Sequence, residues 1–380
     1  MANTIKLGNG TWATKEGSLL AYNDENNNFK PLPFTTTRAS SATVVNKQGL
    51  IETVGSGIPR IDFSDDANGA LLLEPSATNL LTYSEDFSNA SWTKSSSAVT
   101  ITSNVAPDGT INSVYNLTGT NANLYTGGTT NIENTISVYA KSNGQGKDNF
   151  KLRLGNSTSS SIIVTDKWVR YELTATPTTT VFGLTVDSSP NNEFDILIWG
   201  AQLESNSSYA TSYIPTSGTA QTRVADTASG SGNSTVINST EGVLYAEISA
   251  LADDTSTRSI TLSDSSLNNR FTIRYSGATN SIGFVTVVGT AVQGSGNFTT
   301  TDITDFNKVC LKYKLNDVAL WINGVEVLTD TTSLVPSTNT LNLLSFDNGA
   351  GGSVFRAKVK DLRVYTTALS DAELTTLTTI

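Results

Sequence analysis

The stretch whose reading decides the fold is Thr37–Leu81, TRASSATVVNKQGLIETVGSGIPRIDFSDDANGALLLEPSATNLL. Short apolar clusters (Val44-Val45, Leu50-Ile51, Ile61 with Phe63, Leu71 to Leu73) alternate with turn chemistry at Asn46–Gly49, Gly55–Pro59 and Asn68-Gly69. Runs of four to eight residues bounded by Gly, Asn and Pro read as small strands and hairpins, not helices. A segment this short cannot bury a core alone and must lie on a larger body. The same grammar extends in both directions and points to an all-β chain.

Bulk properties narrow the function classes. The 380 residues suffice for two or three domains, and only 15% are charged, with Ser, Thr and Asn filling exposed β surface and turns. The net charge of −10 would repel a phosphate backbone, which argues against nucleic acid as partner, and it discourages attachment to anionic membranes. No apolar run is long enough for a membrane-spanning helix, and MANTIKLGNGTW at the N-terminus lacks the apolar core of a signal peptide. With a single cysteine, Cys310, there is no intrachain disulfide framework. In KVCLKYKL, period-two alternation puts Val309, Leu311, Tyr313 and Leu315 on one face and Cys310 with Lys308, Lys312 and Lys314 on the other. The cysteine reads as passive, since no activating base is visible.

Working outward, residues 1–35 carry scattered anchors (Ile5, Leu7, Trp12, Leu19-Leu20, Tyr22, Phe29), a loop at Asn26–Asn28 and an extended exit at Pro31 and Pro33. This piece is an attachment arm that orders against a partner, or a strand pair added to the next module. Residues 36–78 form a small hairpin-rich segment packed on the module C-terminal to it. From 79 to 226 the period is two: FKLRL, TISVYAK and WVRYELT alternate, and FDILIWGAQL is apolar on both faces, as a central strand would be. Repeated short strands without helices argue for a jelly-roll sandwich. Residues 227–240, TASGSGNSTVINST, read as a flexible linker. Residues 241–380 repeat the strand logic, with a hairpin tipped by Asn323-Gly324 and a final helix whose capping box is Ser370 and Glu373.

Much chemistry is excluded. Without histidine, neither a Ser-His-Asp nor a Cys-His arrangement can be built within the chain, and zinc sites are nearly excluded. No phosphate-binding glycine pattern joins a strand to a helix. Carboxylates that a glycosidase could use (Asp65-Asp66, Glu85-Asp86, Asp253-Asp254, Asp347) show no defined separation, so no catalytic residue and no reaction are assigned. Sugar recognition would use an exposed aromatic beside polar side chains. The platforms near turn chemistry are Trp92, Tyr125, Tyr209 and Tyr213, with Asp347 and Asn348 as polar partners, whereas Trp168, Trp199 and Trp321 sit inside strand patterns and read as core. Calcium is the one cofactor the loop oxygens suit, with Asp253, Asp254 and Asp264 as ligands helped by Asp347 and Asn348.

An ordered set of words, TRASSATVVNKQGLIE, PRIDF, GALLLEPSATNLLTYSEDF, SWTK, TISVYAK, WVRYEL, WGAQLE and TSYIPTSGTAQTRVAD, spans residues 34 to 226. It resembles a block found in tail-fibre and related virion-appendage proteins of bacteriophages. WINGVEV followed by KDLRVYTTALSDAEL, over residues 240 to 378, resembles concanavalin-A-like or laminin-G-like jelly rolls. The resemblance implies two tandem sandwiches in a homotrimeric virion surface protein, docked on other virion proteins through its N-terminal segment and presenting lectin-like surfaces to host glycans. Two alternatives stay open: a capsid-bound head fibre or decoration protein with no ligand, and a polysaccharide-degrading enzyme.

Overall fold

The computed structural model describes residues 3–15, 17–20, 32–187 and 192–380. The expected anchors Tyr22 and Phe29, the loop at Asn26–Asn28 and the exit at Pro31 lie outside the described residues. The chain is almost entirely β and divides into two units that interleave in sequence. The first comprises residues 1–41, 55–75 and 225–380, the second 42–54 and 76–224. Among the described residues, no helix is long and apolar enough to cross a membrane.

The first unit is a sandwich of two antiparallel sheets. One has eight strands, in the order Val325–Asp330, Val318–Ile322, Asn307–Lys314, Glu241–Ala250, Ala357–Tyr365, Ala70–Leu72 and Ile61–Asp62, with Ile5–Gly8 added beside Ala357–Tyr365. The other has five: Ala291–Thr299, Ser281–Val288, Arg270–Tyr275, Arg258–Ser263 and Leu343–Ser345. Period-two alternation sends Leu244, Ala246, Ile248, Val309 and Leu311 from one sheet against Ile260, Leu262, Phe271 and Ile273 from the other, and all are buried. Phe271 and Tyr313 stack across this core with centroids 4.2 Å apart. Asn323 and Gly324, at φ 51° and 87°, form the two-residue turn that their sequence predicts.

The face of Asn307–Lys314 that carries Cys310 is not a solvated one. The helix Asp371–Thr378 covers it, and Cys310 is buried with Tyr245, Trp321 and Leu374, where burial pushes its thiol well up. The Ser370 N–H donates to the Glu373 carboxylate at 2.9 Å, so the expected capping box forms.

Three expected boundaries move. Residues 227–240 are not a free linker, because Thr227–Ser229 pairs with Phe34–Thr37 and Ile237 is wholly buried. Ser231 also exchanges backbone bonds with Leu344 at 3.0 and 2.7 Å. A Ser/Thr/Asn-rich stretch satisfies its backbone in a sheet as well as in water, and two small anchors, Ala228 and Ile237, are enough to hold it. The segment 36–78 is split: the hairpin Ala42–Val45 with Ile51–Val54 joins the second unit, while 55–75 extends the large sheet of the first. The described part of residues 1–35 is likewise committed within its own unit. Ile5, Leu7 and Leu19 are buried in the first unit's core, and the strands Ala13–Lys15 and Ser18–Leu20 continue onto Phe34–Thr37.

The charged residues of the sequence words meet in this unit. Arg38 Nη1 lies 2.9 Å from Asp226 Oδ1, Arg60 Nη1 lies 2.6 Å from Glu74 Oε2, and Arg60 also pairs with Asp226. Arg38 further donates to the carbonyls of Gly55 (2.6 Å) and Ile58 (3.1 Å). All four side chains are buried. Desolvation alone would lower the Arg60 guanidinium, but Glu74 and Asp226 outweigh it and hold the group above its ordinary value. Four distant pieces of chain are knotted here by charge.

The second unit is built on a nine-stranded antiparallel sheet whose main path runs Ser157–Thr158, Asn149–Leu154, Phe182–Val186, Val114–Thr126, Glu193–Ser205, Asn134–Ser142 and Val169–Ala175. Its central strand is the FDILIWGAQL run. Phe194, Ile196 and Ile198 enter one core with Leu117, Leu124, Ile136, Val138, Phe150 and Leu152. Leu197 and Trp199 enter a second, on the opposite face, with Val114 and Tyr213. At Gly200, φ +59°, the alternation changes phase, so that Ala201 and Leu203 return to the first core. The pairing with Asn134–Ser142 slips at the same point, the signature of a β-bulge.

Candidate functional site

In the second unit, an open cleft of about 380 Å³ is lined by Tyr83, Glu85, Asp86, Pro215, Thr216 and Ser217. Its walls are the words YSEDF and YIPTSG, which run antiparallel. Ser84 N–H donates to the Thr216 carbonyl at 3.3 Å, Gly218 N–H to that of Thr82 at 2.7 Å, and Tyr83 bridges Ser217.

Buried polar side chains hold these two walls. Asn79 Oδ1 accepts from the N–H groups of Leu81 and Leu203, both at 3.1 Å, while its Nδ2 donates to the Ile214 carbonyl at 2.8 Å. Gln202 Oε1 accepts from the Ile214 N–H at 2.7 Å. The Glu204 carboxylate receives the Thr211 N–H (3.0 Å) and hydroxyl (2.6 Å). Each of these bonds is buried, where an unpaired partner would cost about 1–3 kcal/mol. Asn79, Gln202 and Glu204 are thus frame rather than contact surface.

Within the cleft, the two neighbouring carboxylates differ in environment. Burial pushes Glu85 up, a nearby Asp108 charge adds to this, and the Tyr213 hydroxyl, donating at 2.9 Å, opposes it. Ser84 Oγ sits 2.7 Å from that same hydroxyl. Asp86 goes down, chiefly through the Ser88 hydroxyl, and its Oδ1 also accepts from Tyr115 at 2.9 Å. Tyr83 and Glu85 are half-buried and line the cleft, and an aromatic with an acceptor is a combination that suits a polyhydroxylated ligand.

The raised Glu85 carboxyl has a pH signature. Because it binds its proton more tightly in the folded protein than in the unfolded chain, its stabilising contribution is complete below the ordinary glutamate value of 4.5 and is lost as pH rises through the raised folded value. The melting temperature of the wild type minus that of Glu85→Gln should therefore fall on going from pH 4 to pH 8. A difference that stays level would mean that Glu85 is not desolvated.

Of the sequence-predicted platforms, none lines this cleft, but two support it. Trp92 is 2% exposed, its ring tilted against that of Phe87 with centroids 5.1 Å apart, and its indole N–H is donated to the Tyr83 carbonyl at 2.9 Å. Tyr213 is 3% exposed, its ring 4.8 Å from that of Trp199. Both are corrected from exposed platforms to buried supports, because each ring, though outside a strand, packs into one of the unit's two cores, Trp92 beside Phe87 and Tyr213 beside Trp199. Tyr125 and Tyr209 are half-buried elsewhere in the unit and stand apart from the cleft. Of the aromatics expected as core, Trp199 and Trp321 are buried, whereas Trp168 is half-buried and donates to the Val105 carbonyl at 2.9 Å. Tyr83 itself is legible in the sequence only as part of a word.

Asp347 and Asn348 lie in the first unit and spend their acceptors inside their own loop. Asp347 Oδ1 takes the Ser345 hydroxyl (2.9 Å) and the Gly349 N–H (2.6 Å), and Asn348 Oδ1 takes the N–H groups of Ala350 and Gly352. The calcium ligands do not assemble. Asp253 accepts from Asn280 N–H at 3.0 Å, Asp254 pairs with Arg258, and Asp264 closes a turn on Ser266 and Asn269. Among the described residues no three His, Cys, Asp or Glu side chains come together to hold a metal. Short loop acids close Asx turns more readily than they converge.

A family model described as the concanavalin A-like lectin/glucanases superfamily matches residues 244–375. The first unit therefore carries a lectin-like, concanavalin A-like β-sandwich. No curated protein sequence matches the chain. Among solved structures, the chain is similar to the Ruminococcus gnavus IT-sialidase CBM40 bound to α2,3 sialyllactose, at 17% identity over 40% of this chain and 94% of that one, with a TM-score of 0.33. It is also similar to Domain 4 of AbnA, a GH43 extracellular arabinanase from Geobacillus stearothermophilus in complex with arabinotriose, at 14% identity over 40% and 73% of the two chains and a TM-score of 0.33.

Proposed function

We propose that the protein is an attachment subunit on the surface of a bacteriophage particle, in a tail fibre or another appendage, that holds host-surface glycans without a reaction of its own. The observation that carries this reading is the open cleft lined by Tyr83 and a desolvated Glu85. The ordered words of residues 34 to 226 support the virion setting, and the concanavalin A-like match of residues 244–375 supports an adhesive class. A trimer docked on other virion proteins would turn weak single-site binding into firm attachment by raising effective concentration. No metal or cofactor is assigned.

The test is a glycan array probed with the full chain. Host-type saccharides should be retained, and Tyr83→Ala should weaken retention about tenfold through the lost ring contact. An array that stays silent at every sugar would end the reading. It would favour a head fibre or capsid decoration with no ligand, which the burial of Arg38, Arg60, Asn79, Gln202 and Glu204 already suits. Release of reducing ends that Glu85→Gln abolishes would replace attachment with polysaccharide cleavage.

A further inference from the structure

The five-stranded sheet of the first unit has one face in the core and one facing away from it. On Arg270–Tyr275, the residues Phe271, Ile273 and Tyr275 are fully buried in the core, so Arg270, Thr272 and Arg274 project from the opposite face. Across the sheet, Arg274 is paired with Gly283, Thr272 with Val285 and Arg270 with Val287, and Gly283 is paired in turn with Asn297. Val285 and Val287 are buried although they face away from the core, and they give this face an apolar floor.

Arg38, Arg60, Arg258 and Arg363 each meet a carboxylate. Arg270 and Arg274 meet none within 4.0 Å among the described residues. Arg270 donates to the Leu267 carbonyl at 3.2 Å, and Arg274 Nη2 donates to Asn297 Oδ1 at 3.4 Å. Arg274 Nε is buried with no hydrogen-bond partner. Desolvation lowers both guanidiniums, and the Arg270 charge lowers Arg274 further. Two half-buried like charges lie along one face of this strand, on either side of Thr272, with donors to spare, an arrangement that an arriving anion would relieve.

The surroundings are shaped as well as charged. One strand over from the arginines, the 346–354 loop lies on this face: Thr261 Oγ1 donates to the Asp347 carbonyl at 2.6 Å, and Ser259 N–H to that of Ser353 at 2.9 Å. The loop leaves no room at Gly349, where an added Cβ would come within 2.9 Å of Ser263 Cβ. On the other side, an added Cβ at Gly283 would fall 2.3 Å from Asn297 Oδ1, so glycine lets the amide lean in beside Arg274.

From this geometry we infer that Arg270, Arg274 and Asn297, on the outer face of the five-stranded sheet, form a binding site for an anionic saccharide, its carboxylate or phosphate groups held by the two guanidiniums. The inference rests on the attachment reading and assigns a charge class of glycan to a second place on the chain, apart from the Tyr83 cleft.

The experiment is a binding titration of the full chain, by calorimetry, with three probes: an oligogalacturonate, a glycerol-phosphate oligomer and a neutral dextran oligomer. At least one anionic probe should bind, more weakly as salt is raised, and dextran should not bind at this face. Arg270→Gln and Arg274→Gln should each weaken anionic binding roughly tenfold, the pair together more, with melting temperature unchanged. Which anionic probe binds tells carboxylate from phosphate. Arg274→Lys should also weaken it, since an ammonium lacks the planar donor pair. Undiminished anionic binding in the double variant, or full binding in Arg274→Lys, overturns the site. So does the binding of neither anionic probe. If Tyr83-dependent array binding survives such a result, only this site falls; if all saccharides are ignored, the attachment reading falls with it.

Discussion

Asp226→Ala is expected to lower the unfolding free energy of the first unit by about 3–5 kcal/mol, the usual loss when one partner of a buried ion pair is removed. The reason is the neighbours it leaves behind. Arg38 and Arg60 would each stay out of water facing the gap, and the Glu74 N–H that donates to Asp226 Oδ2 at 3.0 Å would lose its acceptor. Asp226→Asn should cost less, because it keeps the shape and an acceptor oxygen while giving up the charge. Lys147→Ala sets the contrast. Its pair with Glu193 at 3.0 Å is 43% and 26% exposed, so the loss should be at most about 1 kcal/mol. Urea unfolding followed by circular dichroism measures all three. A loss for Asp226→Ala no larger than that for Lys147→Ala would show that the knot carries no weight.

The second large effect belongs to Trp199, which is 1% exposed and packed against Tyr213 at 4.8 Å and Tyr139 at 5.6 Å. Trp199→Ala removes a fully buried indole from a strand with cores on both faces, and about 3–5 kcal/mol of stability should go with it. Trp199→Phe should cost much less, for a reason specific to this site: the indole Nε1 is buried without a hydrogen-bond partner, so its removal offsets part of the lost packing. The alanine variant should also weaken saccharide retention at the Tyr83 cleft, since Tyr213 rests on Trp199 and orients Glu85. The same unfolding measurement checks the first part, and the glycan array the second. Equal losses for the phenylalanine and alanine variants would refute the argument about the orphaned N–H.

The second unit's cleft is readable in the sequence only through such supports. Trp92 and Tyr213 stand out in the sequence by their place near turns, and both come within one residue layer of the cleft. What sequence proximity cannot give is the side on which a ring falls once its loop is packed. Trp92 donates its indole N–H to the carbonyl of Tyr83, which lines the cleft, a contact spanning nine residues of chain. Asp347 and Asn348 show the reverse case. Their oxygens are consumed two to four residues away by Asx turns, which acid-and-glycine composition signals as readily as it signals a ligand site.

Local grammar alone determined that this chain is built of strands. The double-faced FDILIWGAQL run, the Asn323-Gly324 turn and the Ser370/Glu373 cap depend on residues a few positions apart, and short-range sterics and hydrogen bonding decide them. Which strands share a unit was settled only by the tertiary structure. Ile5 pairs with Val364 and Thr37 with Thr227, and Arg38, Arg60, Glu74 and Asp226 are brought from four words into one buried knot. Partners so far apart leave no periodicity to read, since backbone pairing is blind to side-chain identity and the burial of charge is favourable only once every counter-charge has arrived.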